Sequence, residues 1–204
     1  TRQVAHAPQQ PKSGEATTIT AKVTDPNGVA QVQLHYQIVL PGHFITALLP
    51  VPLRDLMRNA DTPRQVNPDY VNPANWTTLR MVDNGTAGDA RSGDGIYTAV
   101  IPGQQHRTLM RYRITVQDTL GDAVTVPYED DDSRNFAYFV YDGVPDYNGH
   151  SSQVLQSLPV YHLITRPEDL TQMIAYDTRD QITQGSLARF AYNWPAAFVY
   201  NGIV

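Results

Sequence analysis

The chain has 204 residues, a formal net charge of −5, no cysteine and an ordinary apolar share of 41%. An acidic balance, with arginines spread singly and lysine nearly absent, excludes a general nucleic-acid or anionic-membrane binder, which carries basic patches. Without cysteine there is no disulfide framework, zinc ribbon or thiol nucleophile, and no run of about 18 apolar residues is present to span a membrane as a helix.

Thr1–Gly14 is polar with two prolines and reads as an extended lead-in. Over Thr17–Thr24, Ile19, Ala21 and Val23 alternate with polar residues, the mark of a half-buried strand. Asp25-Pro26-Asn27-Gly28 has turn chemistry: proline presets φ and Asn-Gly supplies positive φ. Val32, Leu34, Tyr36 and Ile38 then alternate with Gln31, Gln33, His35 and Gln37, and the pair of strands predicts an antiparallel hairpin. Residues 41–75 break the rhythm. Leu53–Asn59 has room for one or two helical turns, and the rest is rich in Pro, Asn and Asp. A long insertion of this kind is either functional or a loop capping a sheet edge.

Regular strands resume at Trp76–Val82, Ile96–Ile101, Leu109–Gln117, Ala123–Val126 and Phe136–Tyr141. The aromatic run of the last reads as a strand with one buried face rather than a stacking platform. Seven short alternating strands separated by turns predict a mainly β fold, a β-sandwich of immunoglobulin or fibronectin III character. Asp142–Ser157 reads as a linker. Beyond it Leu158–Ile164 is continuously apolar, as for a strand buried on both faces. A helix is expected next, with Thr165 as N-cap, Pro167 in its first turn, and Leu170, Met173 and Ile174 as its buried stripe. A second helix is expected over Ser186–Tyr192, then a strand over Ala196–Tyr200 and a type I′ turn at Asn201-Gly202. The expected organisation is therefore an Ig-like sandwich over 1–141 with its 41–75 insertion, a linker at 142–157, and a truncated α/β segment at 158–204. The chain starts at Thr1 and stops where a further strand begins, so it is expected to be a piece of a longer polypeptide.

The densest chemistry lies between Asp83 and Gly95, where four glycines and three aspartates fall in thirteen residues. Asp83, Asp89 and Asp94 with loop carbonyls make a candidate calcium site, since that cation takes six to eight oxygens. The same residues also suit Asx turns and positive-φ corners with no ion. Glu129-Asp130-Asp131-Asp132 is a second acidic run, read as a solvated loop. The six histidines show no paired metal spacing and read as structural. No Gly-x-Ser-x-Gly elbow and no glycine-rich phosphate loop is present, so no catalytic residue is assigned.

Two stretches carry a resemblance. Asp83-Asn84-Gly85-Thr86, Gly88-Asp89 and Gly93-Asp94-Gly95-Ile96-Tyr97, with Val23–Val29 and Tyr112–Asp118, resemble the GDG-loop pattern of bacterial extracellular Ig-like domains over Gly14–Tyr141. Leu158–Ile164, Pro167-Glu168-Asp169-Leu170 and Pro195–Gly202 resemble the opening of the spore-coat CotH kinase-like domain, whose nucleotide-binding and catalytic acids lie further along than this chain extends. The resemblance implies a non-catalytic module of a secreted or cell-surface bacterial protein, a spacer, adhesion or assembly unit, with a protein or a cell-surface polymer as partner. Two alternatives stand beside it: the accessory front end of a CotH-like phosphotransferase, and a carbohydrate-binding sandwich using Trp76 and nearby tyrosines.

Overall fold

A computed structural model describes residues 1–131, 133–179 and 192–204. The chain is mainly β, built on antiparallel sheets. A three-stranded sheet runs β1 (Arg2–Ala7), β2 (Thr17–Lys22) and β6 (Ile96–Ile101). A five-stranded sheet is centred on β3 (Val29–Val39) and β7 (Leu109–Asp118), paired from Val29↔Asp118 to Val39↔Leu109. β5 (Thr77–Arg80) flanks β3. The far edge of β7 is shared: β8 (Ala123–Val126) pairs with its second half and β9 (Phe136–Phe139) with its first.

Two of the expected features change here. The lead-in contains a strand, because β1 completes the free edge of β2, with Val4 packed on the core and His6 against Tyr112 and Tyr138. Two inward side chains are too few for a readable alternation. The predicted hairpin at Asp25–Gly28 does not form. β2 pairs with β1 and β6, and β3 with β5 and β7, so the turn carries the chain from one sheet to the other. Turn chemistry fixes a reversal but not which strands hydrogen-bond after it.

One buried cluster joins the sheets. It takes Ile19 and Ala21 from β2, Ile101 from β6, Val32 and Leu34 from β3, and Tyr112 and Ile114 from β7. Each fully buried aliphatic side chain stabilises the fold by about 1.5–3 kcal/mol. The opposite face of the large sheet is also covered at one end, where Val39, Phe44, Leu109, Phe139 and Val199 make a second cluster. β9 is therefore buried on both faces, Tyr138 toward the first cluster and Phe139 toward the second. That corrects the expectation of one buried face for the aromatic run.

The insertion supplies much of this cover. It holds β4 (Val51–Pro52), α1 (Leu53–Arg58), α2 (Pro68–Val71) and a 3-10 turn at Pro73–Asn75. It lies over the sheet's outer face rather than along its edge. Arg113 of β7 stacks on the Trp76 ring at 3.9 Å, and Arg111 on the Phe44 ring at 4.6 Å. Tyr70, almost wholly buried, donates to Asn135 Oδ1 at 2.7 Å, and Trp76 Nε1 donates to the Tyr70 carbonyl at 2.7 Å.

The segment after Tyr141 packs at the same end. α3 (Ser152–Leu155) makes a helical turn within the stretch read as a linker. β10 (Tyr161–Ile164) and β12 (Ala197–Tyr200) form an antiparallel pair, with α4 (Pro167–Arg179) following β10. β11 (Tyr192–Asn193) pairs with β4 of the insertion. The expected helix at Ser186–Tyr192 lies outside the described residues, apart from Tyr192, which is in β11. The two-residue turn after β12 has positive φ at both Asn201 and Gly202 and closes on Tyr200↔Ile203, as type I′ requires.

The strand and helix of this segment differ from expectation. β10 is not buried on both faces: Tyr161 and Leu163 are about two-thirds exposed, while His162 packs on Phe139 and Tyr141. A two-stranded hairpin lying on a larger sheet covers one face only. The first helical bond of α4 runs from Leu170 N–H to the Arg166 carbonyl, so Arg166 holds the cap position and the Thr165 hydroxyl donates to the Pro195 carbonyl instead. The apolar stripe is not buried either, since Leu170 and Ile174 are about half exposed. Among the described side chains of α4 the buried group is Asp169, clamped by Arg166 through Nε at 2.7 Å and Nη2 at 2.5 Å, a bidentate pair that a hydrophobic pattern does not register.

Three packed histidines give the fold a pH dependence. Burial pushes His6, His35 and His162 below the ordinary value of 6.5, and Arg113 adds to the effect at His35 as Arg107 and His106 do at His162. The folded state thus favours the neutral rings. Their contribution is complete above pH 6.5 and is lost as pH falls through the lowered folded values. Urea denaturation is expected to show stability flat above neutrality and falling below pH 6.5, with the slope reduced in His162→Gln. A slope unchanged in that variant removes His162 from the account.

Candidate metal site

The Asp83–Gly95 loop joins β5 of one sheet to β6 of the other. Its base is closed by the Val82↔Thr98 bridge, with N–H to carbonyl bonds of 2.9 and 2.8 Å in the two directions. Between these ends the backbone turns repeatedly through positive φ, at Gly85, Ala87, Gly88, Gly93 and Gly95. At two of these positions an added side chain would also be crowded. A Cβ on Gly88 would stand 2.8 Å from Val100 Cγ2, and one on Gly95 would stand 3.3 Å from the Val23 carbonyl oxygen. The Gly95 carbonyl in turn accepts from Val23 N–H at 2.9 Å, tying the loop to the chain leaving β2.

The three predicted carboxylates do come together. One oxygen from each of Asp83, Asp89 and Asp94 lies within 4.8 Å of the others. Two oxygens on one calcium ion, each at 2.3–2.6 Å, stand at most about 5 Å apart, so the spacing fits. Asp89 is buried, and the other two are partly exposed. Backbone donors also reach them. Asp83 accepts from Gly93 N–H at 2.7 Å, Asp94 N–H at 3.2 Å and Gly95 N–H at 2.9 Å. Asp89 accepts from Gly85 N–H at 2.6 Å, and Asp94 from Ile96 N–H at 2.8 Å. Asn84 Oδ1 accepts from both the Thr86 amide and hydroxyl. The glycines therefore provide the curvature and several of the N–H groups that offset the carboxylate charge, a role spacing alone did not reveal. At Tyr97, at the loop's exit, burial first, and then the nearby Asp83 charge, raise the phenol, against an opposing effect of Arg80.

The other candidate residues are dispersed. Asp131 caps a turn by accepting from Tyr128 N–H at 2.6 Å, and Asp132 lies outside the described residues. His35 Nδ1 shares a hydrogen bond with Thr78 Oγ1 at 2.9 Å, and His106 Nδ1 accepts from Asp142 N–H at 3.0 Å. Among the described residues the three loop aspartates are the only cluster with metal-ligand spacing. One face of the Trp76 indole is taken by Arg113, and the Tyr70 ring meets it at a steep angle. No protein-family model matches the chain, and a search of the curated proteins finds no match.

Asp83 holds more of the loop than either partner. Asp83→Ala is expected to lower stability by about 1–3 kcal/mol, since it strips the acceptor from three N–H groups, and Asp94→Ala by less. Gly95→Val should exceed Asp94→Ala, because a β-branched residue is poorly tolerated at φ +79°. Equilibrium unfolding of the three variants ranks them. An Asp94→Ala loss equal to that of Asp83→Ala contradicts the assignment.

Proposed function

We propose that the chain is a non-catalytic Ig-like module of a secreted or cell-surface bacterial protein, serving as a spacer, adhesion or assembly unit for a protein or surface-polymer partner. The observation that carries this reading is the pair of antiparallel sheets, ordered β1-β2-β6 and β5-β3-β7-β8, sharing one buried cluster. The chain changes sheet between β2 and β3, between β5 and β6, and between β6 and β7, and crossings of this kind support the reading of an immunoglobulin or fibronectin III sandwich. In this reading the Asp83–Gly95 loop is a structural corner at one such crossing, and calcium is the ion its three carboxylates would take, as a hard cation on oxygen ligands.

A second reading makes the chain the accessory front end of a CotH-like phosphotransferase. It is favoured by the outward side chains of β10 and β12, where Tyr161, Leu163, Phe198 and Tyr200 present an apolar face that a further layer of protein would cover. In both readings this chain transfers no phosphate itself. Incubation with labelled ATP and magnesium or manganese is expected to leave it unlabelled. Autophosphorylation abolished by a substitution within the chain would overturn that.

Calcium tests the corner. An ion that binds only the folded state stabilises it by about 2.7 kcal/mol at a hundredfold excess over the dissociation constant. The melting temperature is expected to rise with calcium and to fall back with chelator, and Asp89→Ala and Asp94→Ala should abolish the rise. A melting temperature indifferent to both additions leaves a corner held by its own N–H groups.

A further inference from the structure

Arg111 projects from the outer face of β7, under the insertion, and is only 7% exposed. Directly opposite on β3 is Gln37, 1% exposed. The guanidinium donates from Nη1 to the Ile45 carbonyl at 2.6 Å and, at the long distance of 3.4 Å, to Gln37 Oε1. Among the described residues it has no carboxylate partner, and no acceptor meets Nε or Nη2. Gln37 Nε2 is buried and meets no acceptor among the described residues. Burial pulls the guanidinium down to about 10, so it remains charged at neutral pH. A buried cation without a counter-charge is costly, and a buried donor without an acceptor adds to that cost.

Arg111 borders a cavity of about 180 Å³ between the insertion and the residues leading into β12. Its walls are largely apolar, among them Phe44, Leu48, Leu49, Leu56 and Ala196. Arg64, which is exposed, is the other cation lining it. An apolar cavity of about 150 Å³ takes a benzene ring. A guanidinium with two free N–H directions matches a carboxylate, which it grips as a fork. Shape and charge together specify a compact apolar body carrying one negative group.

We propose that this cavity is a binding site for a small apolar carboxylate about the size of benzoate, its carboxylate on Arg111 and its apolar body against Phe44, Leu48 and Leu56. The site lies on the other side of the large sheet from the shared core and is independent of the calcium reading. The same chemistry is offered by a free acid and by the C-terminus of a peptide ending in an apolar residue.

Titration calorimetry on the full chain separates these cases. The probes are sodium benzoate, its uncharged analogue benzamide, and a pentapeptide ending in leucine with a free or an amidated C-terminus. Saturable binding of benzoate, at least tenfold tighter than benzamide, assigns the site to free acids. Binding of the free-carboxyl peptide over its amide assigns it to chain ends. Arg111→Met should abolish the preference for the charged probe. Leu48→Trp, which fills the cavity and leaves the cation in place, should abolish binding altogether, and it decides the matter if Arg111→Met does not fold. Equal binding of charged and uncharged probes, no binding of any, or undiminished binding in Leu48→Trp overturns the proposal.

Discussion

The pairing of β3 with β7 is the constraint on which the rest of the molecule depends. These are the two longest strands, and their ladder runs from Val29↔Asp118 to Val39↔Leu109. A strand pair of this length presents two faces, and period-two alternation sends most of its apolar residues to one of them. The inner face carries Val32, Leu34, Tyr112 and Ile114 and meets β2 and β6. The outer face carries Gln37, Arg111 and Arg113, yet at one end it too is withdrawn from water. The chain resolves this by laying aromatic rings over cations. Phe44 covers Arg111 and Trp76 covers Arg113, so long polar side chains bury their stems while their charged ends rest on ring faces.

That arrangement explains which parts of the fold were legible in the sequence. Alternation placed β2, β3, β6 and β7 within a residue or two, because each has one face in the main core and the other in a more polar setting. It did not show that Arg111 is buried, since an arginine on the polar side of a strand looks the same whether water or Phe44 lies above it. The insertion lacked periodicity for the same reason. Its fixed points are single residues, such as Tyr70 and the Asn67 amide that donates to the Thr46 carbonyl at 2.9 Å, and single anchors leave no repeat to read. In the last segment, apolar runs were mistaken for buried ones. Leu163, Leu170 and Ile174 are apolar and about half exposed or more, while Asp169, an acid, is buried.

The acidic loop was legible in composition and only partly in geometry. Four glycines and three aspartates announce tight turns and converging carboxylates, and the carboxylates do converge. Which N–H groups meet them depends on the order of positive-φ residues. Gly93 and Gly95 turn their amides onto Asp83, across ten and twelve residues of chain, which makes Asp83 the hub of the second half of the loop. A motif matched by residue type gives the three acids equal weight, whereas the hydrogen bonds do not.

The shared edge of β7 bears on how this chain behaves beside copies of itself. β8 and β9 divide that edge between them, each four residues long, with the chain leaving the sheet between Val126 and Phe136. On the opposite side the sheet ends in β5, also four residues. Neither margin offers a long continuous row of unpaired N–H and C=O groups, the template on which neighbouring chains zip together into mixed sheets. Along the five-stranded sheet, intermolecular strand pairing is thereby hindered by the brevity of its margins, without a charged residue at every edge position.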